Sequence, residues 1–137
     1  MIRTMSEIKK LKIGEAEFTI GFISRRVWFV ISSRMAFCFS SVRKAIDKPD
    51  EIEKLSPDEM LKANTELMHV YWDVIKHGVK DHAGLLAEDG KPVPLVKDDL
   101  GVVSDGTIEL YQINGFFNQL ASEIVSFNTL TEAAKKN

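Results

Sequence analysis

At 137 residues, with 45% apolar and 28% charged side chains, the chain has the size and composition of one globular domain and not of a disordered segment. A net charge of -2 excludes the overall basic footprint of a nucleic-acid or anionic-lipid binder. The single cysteine excludes an internal disulfide and fits a reducing compartment.

Residues 1–6 carry no apolar run of signal-peptide type and read as a loose terminus, with Met5 a second candidate start. Ile8, Leu11, Ile13 and then Phe18, Ile20, Phe22 alternate with polar residues, which predicts two strands across 7–22. "GEAE" supplies their turn, with Gly14 free to take positive φ. A lone hairpin is marginal in water, so this one must lie on other elements or join a larger sheet.

The apolar recurrence Ile23, Val27, Val30/Ile31, Met35, Cys38/Phe39, Val42, Ile46 predicts a helix over 23–47. Val, Phe and Trp are mediocre helix formers, but about 24 residues without Gly or Pro exceed usual strand lengths. Pro49 in "DKPDE" ends it. The segment is no membrane span, because its charge-free pieces, Val27–Ser33 and Met35–Val42, are far shorter than the roughly 20 residues needed.

"LSPDEM" predicts the next helix start: Ser56 at the N-cap, Pro57 behind it, Glu59 closing a capping box, and Leu55 with Met60 as a hydrophobic staple. Leu61, Met68, Trp72, Ile75 and Val79 form its apolar stripe, with Gly78 a candidate end. "VKDHAG" reads as an extra turn before Gly84. Residues 84–104 hold two prolines and three glycines. So long a loop either conceals a short helix or has a task of its own, and Pro92 and Pro94 disfavour a hairpin around Asp89-Gly90. A third helix spans about 105–127, opened by Ser104 or Asp105, with Ile113, Phe116/Phe117, Leu120, Ile124 and Phe127 on its apolar side. Gly115 inside it costs about 1 kcal/mol relative to Ala and marks a kink or a close contact. Residues 129–137 form a polar tail.

The expected fold is therefore mainly α (α+β): an N-terminal β-hairpin, three principal helices, and a long Pro/Gly loop before the last. It is read as a single domain, with 1–6 loose, 7–22 the hairpin, 23–128 the helical body and 129–137 the tail.

No residue set carries recognisable chemistry. His69, His77 and His82 splay around a helix instead of converging as zinc ligands. Asp98, Asp99 and Asp105 lack the spacing of a calcium loop. No phosphate-binding glycine loop or nucleophile elbow occurs. Cys38, between Phe37 and Phe39, reads as an inert core thiol. Arg25, Arg26, Arg34 and Arg43 fall on different sides of their helix, so no basic face for nucleic acid forms. The unusual feature is the aromatic density of that helix. Either it is the central core element, covered by its own chain, or one aromatic face awaits a partner.

The fragments "KLKIGEAEFTIGFISRRVWFVISS", "DGKPVPLVKDDL" and "INGFFNQLASEIVSFNTLTEAAKKN", in this order, resemble the tail assembly chaperones of long-tailed bacteriophages and prophages. The resemblance is one of layout and covers most of the chain. It implies a non-enzymatic protein without cofactor or metal. Such a protein coats the helical tape-measure protein, keeps it soluble, and yields it to the tail tube protein. It also implies self-association, residence in the bacterial host cytoplasm and absence from the mature virion. A frameshifted longer form is implied too, and Lys135-Lys136-Asn137 is compatible with slippery codons. Neither nucleic acid nor a membrane is an expected partner. The expected protein-binding residues are Trp28, Phe29, Ile31, Phe37, Phe39, Trp72, Phe116 and Phe117. Two other classes stay open: another tail or head–tail completion protein, and a small ligand-binding domain uniting His69 or His77 with the acidic loop.

Overall fold

A computed structural model describes residues 2–47 and 57–129, with only the backbone of 39–47 and Met60. The stop at Pro49, the Ser56 cap, the Leu55–Met60 staple and the tail beyond Thr129 lie outside the described residues. The fold is α+β. In chain order it runs β1 (Ile8–Ile13), β2 (Ala16–Gly21), α1 (Arg25–Asp47), α2 (Pro57–Gly78), β3 (Val79–Ala83), α3 (Asp105–Ile113) and α4 (Phe117–Thr129). Among the described residues two compact units are distinguished: 2–24 with 74–129, and 25–47 with 57–73.

The first unit is built on a three-stranded antiparallel sheet with β2 in the centre. The expected hairpin forms, with Ile13 facing Ala16 across Gly14 and Glu15. Gly14 has φ 62, the sign that the first central residue of a type II′ turn requires. Ala16, Phe18 and Ile20 of β2 are buried, as are Phe22 and Ile23 beyond it. α4 lies against β2 and contributes Phe117, Leu120, Ala121, Ile124 and Phe127 to the same core. The core is closed at its margins by polar clips. The Asn128 amide oxygen accepts from Ile23 N at 2.9 Å, and its nitrogen donates to Ile124 O at 2.9 Å. Lys9 of β1 pairs with Glu123 of α4 at 3.2 Å. Within the expected loose terminus, Arg3 lies over the rings of Phe22 and Phe127 at 4.5 and 4.8 Å.

The structure departs from expectation in three places. "VKDHA" is a third strand, not a helical turn: it pairs with β2, placing Phe18 opposite His82. Residues 84–104 contain no helix but two tight turns, bridged at Leu86–Pro92 and Lys97–Val103. The prolines are accommodated because Ala87 N bonds Lys91 O and Val93 N bonds Leu85 O. Pro92 and Pro94 thus alternate with the residues that supply the rungs and are asked for no donor. Finally, the predicted third helix is two helices. Gly115 takes φ 79, Phe116 N bonds Tyr111 O, and Gly115 N bonds Gln112 O. That pair of bonds is a Schellman motif, which ends α3 and lets α4 start at a new angle. Ile113, expected on the apolar side, is consequently exposed. At the other end, Ser104 caps α3 and accepts from Thr107 N.

Candidate protein-binding face

The unit of residues 25–73 holds α1 and most of α2. In α1, Ile31, Met35 and Cys38 are buried. Their spacing of four and three puts them on one side of the helix. Burial pushes the Cys38 thiol pKa up, with the nearby Glu66 charge acting in the same direction, so the thiol stays neutral. Beside this buried side stands Arg34, the charge that interrupts the apolar run. Its Nε and Nη2 donate to Glu66 Oε1 at 3.0 and 2.7 Å, and its Nη1 to Asp73 Oδ2 at 2.8 Å. One guanidinium thus links α1 to two carboxylates seven residues apart on α2, the forked geometry for which arginine is suited.

The opposite side of α1 is apolar as well. Phe29 is 72% exposed, Val30 56% and Phe37 74%. At 100° per residue, Arg26, Val30, Ser33 and Phe37 fall within roughly 60° of one another, with Phe29 and Ala36 along one margin. All six are exposed. The result is a stripe in which large apolar residues flank the small Ser33 and Ala36. Single exposed apolar residues are ordinary, whereas a run of them along one helix face makes that face a candidate interaction surface. Leaving one Phe side chain in water forgoes about 2 kcal/mol of burial, so the stripe is a standing cost to the isolated chain.

The expected binding residues separate accordingly. Phe29 and Phe37 lie on the stripe. Trp28 and Trp72 are half-buried, and Arg25 leans over the Trp28 ring at 5.9 Å. Ile31 and Phe117 are core residues, at 2% and 3% exposure, and cannot serve as surface contacts. Phe116 is half-buried and packs edge-on against Phe18. The Phe39 side chain lies outside the described residues. Val30, which the sequence assigned to the core side, joins the stripe instead. Projecting the helix against Ile31, Met35 and Cys38 would have found it.

A second polar group lies in the sheet unit. His82 is buried, with Nδ1 2.6 Å from the Tyr111 hydroxyl and Nε2 2.8 Å from Val93 O. A carbonyl only accepts, so Nε2 carries the hydrogen and Nδ1 accepts from Tyr111. The contact fastens the 84–104 segment to the sheet. His69 is exposed and His77 half-buried. Among the described residues no group of three or more His, Cys, Asp or Glu is placed to hold a metal ion, and no helix is long and apolar enough to cross a membrane. No protein-family model, curated protein or solved structure matches the chain.

Proposed function

We propose that the protein is a non-enzymatic binding protein whose α1 stripe receives a helical client, and that the client is the tape-measure protein of a long phage tail. The single observation that carries the reading is the alignment of Phe29, Val30 and Phe37, all exposed, on one face of α1. A client helix laying its own apolar side into such a face would be shielded from water and from its neighbours. The layout shared with tail assembly chaperones supplies the identity of the client. The same resemblance supports residence in the host cytoplasm during tail assembly and absence from the finished particle, with self-association and a frameshifted longer form as further expectations.

Coexpression with a tape-measure fragment tests it. The fragment should stay soluble and co-purify with the wild-type chain. With Phe29→Ser/Phe37→Ser it should precipitate. If the fragment fails to co-purify with the wild-type chain, or is retained equally by the double variant, the proposal fails.

A further inference from the structure

The charges around the stripe specify the client further. Arg26 heads the line that runs through Val30 and Phe37 and is exposed. Arg34, the next cation along α1, is already engaged by Glu66 and Asp73. No Asp or Glu occurs between Glu17 and Asp47, and the first turn of α1 contains no acidic residue. Positive charge in the first turn opposes the helix dipole, which favours anions there. Arg43 and Lys44 follow near the far end of α1, with Lys44 eighteen residues, or five full turns, beyond Arg26 on the same line, and the only acidic residue of α1 is its last, Asp47. Locally, therefore, the stripe lies on a cationic helix, although the chain as a whole is anionic at -2.

We infer that the α1 stripe takes an amphipathic helix whose apolar side is flanked by acidic residues. This rests on the protein-binding reading of the same face. The apolar residues supply contact area, and the cations of α1, Arg26 first among them, select the sign of the client's charge.

Two synthetic amphipathic helices with the same leucine stripe, one flanked by glutamates and the other by lysines, provide the test on the full chain. The glutamate helix should bind about tenfold tighter at low salt, and the gap should close at high salt. Arg26→Glu should narrow the preference severalfold, and Phe29→Ser/Phe37→Ser should remove binding of both. Equal binding, or tighter binding of the lysine helix as the overall charge favours, overturns the inference and leaves the protein-binding reading standing. Failure of both helices to bind overturns the two together. A stable dimer by light scattering that Phe37→Ser dissociates, with no helix bound, also overturns it, because a second copy then covers the stripe.

Discussion

Tyr111 shows how much one hydroxyl can hold. It is fully buried, stacks edge-on against Phe18 at 5.2 Å, and gives its hydrogen to His82. Tyr111→Phe keeps the ring but leaves His82 Nδ1 without a donor, which should cost about 1–3 kcal/mol in denaturant unfolding. Burial, reinforced by the Asp81 charge, also holds the Tyr111 phenol well above the ordinary tyrosine range. The unfolded phenol ionises near pH 10, so above that point the unfolded chain has released a proton that the folded chain retains. Stability from this group is complete below about pH 10 and declines as pH rises further. Unfolding midpoints measured at increasing alkaline pH should fall for the wild type and fall less steeply for Tyr111→Phe. A second residue-scale constraint is Gly78, where a Cβ would overlap Ile124 Cγ2. Ile124 is fully buried and has little room to yield. Gly78→Ala should therefore destabilise by about 1–3 kcal/mol, read as a lowered thermal midpoint, although alanine is the better helix former.

At the scale of elements, Arg34 explains why an apolar helix tolerates a central charge. Removing it with Arg34→Leu leaves Glu66 and Asp73 facing a helix without their cation. The pair is partly exposed, so the loss should be only about 1 kcal/mol at low salt and smaller at high salt, measured by urea unfolding at two ionic strengths. The elements differ in how plainly the chain announces them. The hairpin is legible because Phe18, Ile20 and Phe22 keep a strict alternation and Gly14 marks the turn. β3 is not, because Lys80, Asp81 and His82 are three polar residues in five and only pairing with β2 makes them a strand. Gly115 is visible as a break, yet whether it kinks or ends the helix depends on the bonds to Tyr111 O and Gln112 O. The 84–104 segment is hidden for a related reason. Proline composition argues against a hairpin unless one knows which positions make the rungs.

For the whole molecule, the aromatic excess of residues 27–39 is evident in the chain, but its division between core and surface is not. Consecutive apolar residues cover every side of a helix, and only the burial of Ile31, Met35 and Cys38 reveals which side is left over. Phe29 and Phe37 are largely exposed, so Phe29→Ser/Phe37→Ser should unfold within about 0.5 kcal/mol of the wild type while losing the client. The most direct measurement of the central claim is photo-crosslinking from Ser33, which lies between the two rings. A benzophenone side chain there should crosslink to a coexpressed helical client, whereas the same probe at Lys10 on β1 should not. Equal labelling from both positions, or none from Ser33, would contradict the assignment of α1 as the binding face.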